Sequence, residues 1–220
     1  MIKVIISGYG RMGHMVEKEL LKRGIELVEA SENITATAPE VAKECVCIDF
    51  TTPDAFRANY RFIAQNFKAA VVGTTGWHNI EAEVRQAFEA AGTPLIYASN
   101  FSLGVNALFA AAAKASALLK GAGYTAAIEE IHHIHKLDAP SGTAITLGNL
   151  VEKTLEEKVE ISSIREGEVP GIHTLTLKSD CDQLIFRHEA FSREGLAKGA
   201  VVAALMTETV QGVHEFSELL

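Results

Sequence analysis

The sequence predicts an α/β protein with a parallel sheet in its first part and an α+β region with a mixed sheet in its middle. Apolar runs typical of buried strands alternate with helical runs through about the first hundred residues, which implies a parallel sheet with helices on both faces. A glycine-rich turn over 8–13 joins the first strand to the first helix. After Phe101 the alternation gives way to a long Ala-rich helix and then to mostly extended runs.

The first part contains five predicted strands, over 2–7, 25–30, 46–50, 69–73 and 95–98, and three helices, over 12–23, 51–65 and 80–91. Gly24 ends the first helix, and Thr52 with Pro53 supplies a typical start for the second. Residues 33–44 leave room for no more than a short helix between two strands.

The second part begins with a helix over 104–119 and a strand over 124–134, followed by a helix over 142–157. Three extended runs follow, over 161–165, 172–178 and 184–191, and we expect them to form a mostly meandering sheet. The final helix, over 195–209, is expected to pack back on the first domain. The predicted domains are therefore 1–102 with 193–220, and 103–192.

Composition excludes several classes of protein. The formal net charge of −8 over 220 residues argues against bulk nucleic-acid binding. Three cysteines form no even disulfide framework, which indicates a reducing compartment. The chain enters a strand at once, without a signal-peptide pattern, and its most apolar helix is too short to cross a bilayer. We expect a cytoplasmic protein without nucleic-acid or membrane partners.

The glycine turn matches G-x-G-x-x-G in the strand-turn-helix context that this motif needs. Its residues are Gly8, Tyr9, Gly10, Arg11, Met12 and Gly13. The first glycine permits a tight turn, the second admits a pyrophosphate, and the third lets helix and strand pack closely. Glu32 follows at the spacing where an acid holds ribose hydroxyls. The pattern predicts a Rossmann-type nucleotide site, the alternative being a purely structural turn.

The cofactor preference stays open between NAD(H) and NADP(H). The Glu32 carboxylate favours the bare 2′-hydroxyl of NAD, whereas Arg11 would suit a 2′-phosphate, and NADH is expected to work at least as well as NADPH. Two further polar turns follow the fourth and fifth strands, at the sheet edge where open α/β sheets bind ligands. They comprise Gly73, Thr74 and Thr75, and then Ala98, Ser99, Asn100 and Phe101. Simple βα turns are the alternative for both.

Three histidines and a lysine fall within 132–136: His132, His133, His135 and Lys136. They offer proton donors and a cation. On an extended strand His133 and His135 would share one face and His132 the other, so no metal site is expected. The alternative for each histidine is a surface or core position.

The segment Asp-Ala-Pro-Ser-Gly-Thr over 138–143 then opens a helix, with Asp138 as a possible cap and Pro140 in the first turn. Backbone N–H groups at a helix start bind anions, so a small, multiply anionic substrate that must be protonated fits the whole segment. A helix start without ligand is the alternative.

Read from Glu130 to Ala144, the sequence resembles the signature of the 4-hydroxy-tetrahydrodipicolinate reductase (dihydrodipicolinate reductase) family. The pattern E-x-H-H-x-x-K-x-D-A-P-S-G-T-A is matched at every fixed position. Shorter segments elsewhere in the chain occur in the same order as in the family: Gly10-Arg-Met-Gly13, Asp49-Phe-Thr51, Gly73-Thr-Thr-Gly76, Asn100-Phe-Ser102, Gly104-Val-Asn106 and Arg187-His188. The chain departs from the family at Ser7, where many members have glycine, and in a shorter ribbon after Val159.

The resemblance implies reduction of a cyclic dicarboxylate imine to tetrahydrodipicolinate by hydride from NAD(P)H, in diaminopimelate and lysine biosynthesis. It implies His132 as proton donor and acceptor and Lys136 as a second proton donor. The substrate-binding residues it implies are His133, Ser141, Gly142 and Thr143. The glycine turn would cradle the pyrophosphate, Glu32 the adenosine ribose, and the residues 73–75 and 98–101 the nicotinamide side. It further implies a homotetramer joined through the central sheet.

Two other functions stay open. A different two-domain NAD(P)-dependent dehydrogenase of an amino-acid semialdehyde would share the glycine turn, but it would not require the His-His…Lys…Gly-Thr arrangement. A nucleotide-sensing protein without catalysis would be expected to have lost His132 or Lys136, and both are present.

Overall fold

The computed structural model describes residues 2–220, which form two compact units. One holds the residues up to Ser102 together with Leu196–Leu220, and the other is Leu103–Gly195. The strands are β1 (Lys3–Ser7), β2 (Glu26–Ser31), β3 (Cys45–Asp49), β4 (Ala69–Val72), β5 (Leu95–Tyr97), β6 (Thr125–His132), β7 (Val159–Arg165), β8 (Ile172–Lys178), β9 (Gln183–Glu189) and β10 (Val213–Glu215). The helices are α1 (Arg11–Lys22), α2 (Pro39–Ala42), α3 (Pro53–Asn66), α4 (Glu81–Ala91), α5 (Leu103–Leu119), α6 (Gly142–Leu155) and α7 (Glu194–Met206).

The first unit is built on a six-stranded parallel sheet in the order β10-β5-β4-β3-β1-β2. This confirms the predicted Rossmann-type sheet. The direction in which strands are added reverses between β1 and β3, and ligands of open α/β sheets bind outside the carboxyl ends of the strands at such a point. Strand β10, which was not predicted, has only three residues and pairs with the edge of β5.

Both faces of this sheet are covered, so the interiors of its central strands are apolar. Side chains alternate between the faces: Val4 and Ile6 pack with α1 and α7, whereas Ile5 packs with α3 and α4. Thr52 caps α3 by accepting a hydrogen bond from the Ala55 backbone at 3.3 Å, and Pro53 is the first helical residue. The predicted helix start is thereby confirmed.

The second unit is a four-stranded mixed sheet in the order β7-β6-β8-β9. Strand β6 is parallel to β7 and antiparallel to β8, and β8 is antiparallel to β9. The predicted meander is therefore wrong at one point, because β6 lies between β7 and β8. The chain returns from β6 through α6 before it forms β7, and a parallel neighbour requires such a crossover.

The buried face of strand β6 carries a row of apolar side chains followed by polar ones. Ala126, Ile128, Glu130 and His132 are buried in turn, while Glu129 and the other alternate residues are more exposed. The apolar pair packs against α5 and α6, and the polar pair continues the same row toward the end of the strand.

The strand ends at His132, two residues earlier than predicted. The chain then turns, with the Lys136 backbone N–H donating to the carbonyl of His133 at 3.1 Å, so the predicted alternation of the later histidines does not apply. Helix α6 starts at Gly142 with Ser141 as its cap. The suggested cap Asp138 and the suggested first-turn residue Pro140 both lie before the helix.

No helix within residues 2–220 combines the length and apolar character needed to cross a membrane.

Candidate active site

The glycine turn connects β1 to α1, as expected. Gly8 has φ +91°, a conformation that favours glycine. A Cβ on Gly13 would lie 2.4 Å from the carbonyl oxygen of Gly8, so helix and turn pack too closely for any side chain. A Cβ on Gly10 would meet nothing within 4 Å, and no side chain caps α1. The turn therefore packs closely against the helix at Gly13 and is open at Gly10, and this suits approach of a pyrophosphate to the helix N-terminus.

The other residues of the turn and Glu32 differ in exposure. Arg11 and Glu32 are exposed, and Glu32 directly follows the C-terminal end of β2. The hydroxyl of Tyr9 donates to Glu17 at 2.5 Å, and its ring lies 4.0 Å from that of His14. Tyr9 is thus held against α1. Met12 is half-buried and packs on the core.

A buried carboxylate, Asp49, lies at the end of β3, at the switch between β1 and β3. Its Oδ1 accepts from the hydroxyl of Thr74 at 2.5 Å and from that of Thr51 at 3.0 Å. The Ser7 hydroxyl, at the end of β1, also donates to it. Burial raises the pKa of Asp49 despite these hydrogen bonds. One carboxylate therefore ties together the ends of three strands that border the predicted nucleotide site.

Residues of the fourth and fifth strand turns differ in exposure. Thr74 is buried on Asp49, while Thr75 and Ser99 are exposed. Ala98 is buried, and Asn100 Oδ1 accepts from the Ser102 backbone at 2.9 Å. A Cβ on Gly73 would overlap the ring of Phe50 at 2.1 Å. The Phe101 side chain is 1% exposed and packs against Phe50 and Phe216, so its ring belongs to the core.

In the second unit, Glu130 and His132 form a buried pair. Nδ1 of His132 lies 2.5 Å from Oε2 of Glu130, the separation of an ion pair, although the alignment is not that of a linear hydrogen bond. Oε1 of Glu130 accepts from Arg165 at 2.9 Å and from the Ser141 backbone at 3.2 Å. Burial would raise the pKa of Glu130, but hydrogen bonds from Ser163, Arg165 and Ser141 outweigh it and lower the pKa to about 2.

A second histidine, His173 on β8, completes the buried cluster. Its Nε2 lies 3.1 Å from the Ser141 hydroxyl, and its ring packs edge-on to that of His132 at 5.1 Å. Burial and the nearby His132 lower the pKa of His173 to about 4. Burial also lowers the pKa of His132, which Glu130 opposes and Lys136 and Arg165 reinforce.

Lys136 lies on the loop before α6. Its Nζ donates to both carboxylate oxygens of Asp138, at 2.7 and 2.9 Å. The Gly142 backbone N–H also donates to Asp138, and the Lys136 hydrogen bonds are the main reason that the pKa of this carboxyl is lowered. The cation and the first N–H of the helix thus already converge on one carboxylate.

The remaining predicted substrate residues are placed differently. His133 is half-buried and its ring lies 6.0 Å from that of His135, outside the Glu130 cluster. Thr143 is half-buried in the first turn of α6. The structure therefore brings His132 together with Ser141, and Lys136 together with Gly142, while His133 belongs to neither group.

Glu130, His132 and His173 also have the spacing of a metal site, with candidate ligand atoms within 4.8 Å of one another. However, the Arg165 guanidinium is 2.9 Å from Glu130, and Nε2 of His173 faces Ser141. The cation next to Glu130 opposes binding of a second positive charge.

The sequence analysis did not place Asp49, Glu130, Arg165 and His173 in the candidate site. An acid at the end of a buried strand was a usable signal for Asp49, and the two-residue spacing from His132 was one for Glu130. The other two reach the site only through strand register, in which His132 pairs with Arg165 and Glu130 with His173. Local sequence does not contain that information.

Comparison with known proteins identifies the family of the chain. The family model "Dihydrodipicolinate reductase, N-terminus" matches residues 2–101, and "Dihydrodipicolinate reductase, C-terminus" matches residues 104–220. The 4-hydroxy-tetrahydrodipicolinate reductase of Christiangramia forsetii is 36% identical over 236 residues, covering 100% of this chain and 98% of the relative. That of Akkermansia muciniphila is 34% identical over 244 residues, again covering 100% and 98%.

Solved structures show the same fold. The dipicolinate-bound dihydrodipicolinate reductase of Paenisporosarcina sp. TG-14 superposes with a TM-score of 0.86 at 21% identity, covering 100% of both chains. The DAP dehydrogenase of C. glutamicum, in complex with DAP, gives a TM-score of 0.59 at 14% identity, covering 99% of this chain and 93% of that one. With both family models matched across its length, the chain belongs to the dihydrodipicolinate reductase family.

Proposed function

We propose that this protein is a 4-hydroxy-tetrahydrodipicolinate reductase, which reduces a small cyclic dicarboxylate with NADH or NADPH in diaminopimelate and lysine biosynthesis. In the overall reaction, 4-hydroxy-tetrahydrodipicolinate, NAD(P)H and a proton give tetrahydrodipicolinate, NAD(P)⁺ and water. The first unit is the dinucleotide-binding domain, and the second holds the substrate and the proton donors. Membership of the family, from nearly full-length relatives, supports this assignment.

One observation carries the choice of substrate class. Lys136 and the Gly142 N–H both bind the carboxylate of Asp138, so this loop is a carboxylate receptor. A substrate carboxylate that replaced Asp138 would find a cation and the N-terminus of α6 in place. Thr143, in the first turn, would add its hydroxyl, and a dianionic substrate gains most from such a site.

The cofactor fits the first unit on geometric grounds. The opening above Gly10 and the uncapped start of α1 suit a pyrophosphate, and Glu32 stands where ribose hydroxyls are held. When bound, the nicotinamide supplies the hydride. The turns that contain Thr74 and Thr75, and Ser99 and Asn100, would border it.

Side chains of the protein bind the charged substrate and transfer protons to it. Lys136 and the helix N-terminus hold the substrate carboxylate. Hydride addition leaves electron density that a proton must quench, and His132, held at Nδ1 by Glu130, has Nε2 for that transfer. Lys136 is the second proton donor, and His133 contacts the substrate from the loop.

A dehydrogenase of another substrate is the second candidate, because the aspartate semialdehyde dehydrogenase of Vibrio cholerae shares the fold at 11% identity and a TM-score of 0.59. The buried Glu130–His132 pair beside the carboxylate receptor favours the reductase. By family resemblance we also infer a homotetramer in the cytoplasm, and light scattering of the purified protein tests the assembly.

The deciding experiment follows the loss of NADH or NADPH absorbance while the preceding synthase generates the substrate from pyruvate and aspartate semialdehyde. We expect rapid oxidation of both cofactors that depends on the synthase. Cofactor binding without such oxidation would reject the reductase and favour a different substrate or a sensing role.

A further inference from the structure

The Glu130 carboxylate contacts several groups besides His132. It is 0% exposed, and burying a carboxylate costs several kcal/mol unless it is paired and hydrogen-bonded. Its donors come from separate elements: Arg165 and Ser163 on β7, and the Ser141 backbone at the cap of α6. These contacts hold the Glu130 carboxylate in a fixed position.

Two of its contacts reach different halves of the proposed site. Oε2 faces Nδ1 of His132, and Oε1 accepts the N–H of Ser141, the residue that caps the carboxylate-binding helix. An ionised carboxylate carries no proton, so a separation of 2.5 Å between Oε2 and Nδ1 is favourable only when the proton of His132 resides on Nδ1. Nε2 is then the nitrogen available to substrate. It lies beside Gly171, where even a Cβ would come within 3.0 Å of it.

We propose that Glu130 is a positioning residue that joins the proton donor His132 to the N-terminus of α6. One buried carboxylate then fixes both the tautomer of the donor and the place of the substrate carboxylate. The inference deepens the proposed function and rests on it, since it takes His132 as the donor.

The charged groups around His132 determine the direction in which its pKa should change when the Glu130 charge is lost. Glu130 on the same strand favours the imidazolium, while Arg165 on β7 and Lys136 on the following loop oppose it. His173 on β8 packs against the ring, and the nearby His132 lowers the pKa of His173. Loss of the Glu130 charge leaves only the opposing groups. A donor that must be protonated would then lose its proton at lower pH, and the fall of kcat with rising pH would begin earlier.

The test compares Glu130→Gln with Glu129→Gln, which removes the same charge one residue away on the exposed face of β6. Two readouts are measured for each: kcat and KM for NADH across pH, and the imidazole nitrogen resonances of His132 in the free protein. We expect Glu130→Gln to lower kcat at least about ten-fold. The pH of half-maximal kcat and the His132 titration should both move down by about one unit, with KM for NADH unchanged. Glu129→Gln should match the wild type.

A second variant guards against misfolding of the first. Arg165→Gln removes a cation next to Glu130 and should shift the His132 titration in the opposite direction, upward. A His132 titration that neither variant moves would overturn the proposal, as would a loss of kcat in Glu130→Gln with an unshifted pH profile, which is the mark of a merely structural role. The resonances are read without turnover, so they decide the role of Glu130 even if the wild type proves not to reduce the proposed substrate.

Discussion

The hydroxyl of Thr74 lies 2.5 Å from Oδ1 of Asp49, and this hydrogen bond joins the C-terminal ends of β3 and β4 beneath the proposed nucleotide site. The same Thr74 oxygen accepts from the backbone N–H of Thr51 at 2.7 Å. Thr74 thus links the turn after β4 to the turn after β3, while Ser7 extends the link to β1.

We therefore predict that Thr74→Val raises KM for NADH several-fold while changing kcat less. The valine has the shape of threonine but leaves Asp49 short of a donor and frees two turns that border the cofactor. The free energy of unfolding should fall by about 1–3 kcal/mol, the usual cost of an unsatisfied buried polar group. Steady-state kinetics and denaturant unfolding measure the two effects.

Thr93→Val is the matched control, because Thr93 is a buried threonine whose hydroxyl donates to the Ala64 carbonyl at 2.7 Å, within a different part of the same unit. It should lose stability without a change in KM for NADH. Equal KM values in the two variants would show that the Asp49 cluster supports the fold and not the cofactor site.

The first unit followed from sequence because its signals are local. Buried strands such as Cys45–Asp49 are apolar on both faces up to their last residue, and Thr52 with Pro53 marks the helix that follows. Strand Val213–Glu215 was missed because three residues are too few to show alternation, and it forms only as a neighbour of β5.

In the second unit the motif identified the right segment but not its geometry. The turn after His132 determines that the strand ends at this residue. The register of β6 with β7 places Arg165 beside His132. Long-range pairing of this kind is set by the crossover through α6 and by packing, neither of which a local pattern contains. The predicted meander failed for the same reason.

Lys136→Ala should reduce kcat by roughly a hundred-fold or more, the range for loss of a proton donor, and leave the affinity for NADH nearly unchanged. Lys136 belongs to the carboxylate-binding loop of the second unit and is held there by Asp138. Stopped-flow single turnovers and fluorescence titration with NADH separate the two quantities. Lys120→Ala, which removes an exposed lysine of the same unit paired with Glu156, is the control. A large loss of NADH affinity in Lys136→Ala would refute its assignment to the substrate.

Glu32→Ala should weaken NADH more than NADPH. The exposed carboxylate at the end of β2 is expected to accept hydrogen bonds from ribose hydroxyls and to repel a 2′-phosphate, so its loss costs NADH a charged hydrogen bond of roughly 1.5–3 kcal/mol and costs NADPH less. The ratio of the two dissociation constants should therefore shift about ten-fold or more. Glu29→Ala, an exposed glutamate on the same strand, should leave the ratio alone. Equal losses for both cofactors in Glu32→Ala would mean that this residue does not contact the ribose.

The buried His173 makes the stability of the protein depend on pH. Burial and His132 lower the pKa of His173 to about 4, whereas an unfolded histidine titrates near 6.5. Between these values the unfolded chain binds more protons than the native one, so stability is full above pH 6.5 and falls as the pH drops toward 4. The loss from this one group is at most about 3 kcal/mol. Glu130, with its pKa of about 2, acts in a lower window, below about pH 4.5.

His173→Gln should therefore flatten the dependence of the unfolding free energy on pH between about 7 and 4.5, because glutamine can keep a hydrogen bond to Ser141 without taking up a proton. His132 and His188, whose pKa values are also lowered by burial, retain part of the slope. His78→Gln, at an exposed histidine of the first unit, should leave the profile as in the wild type. Urea unfolding at several pH values measures this directly, and an unchanged slope in His173→Gln would mean that His173 is protonated as readily in the native protein as in the unfolded chain.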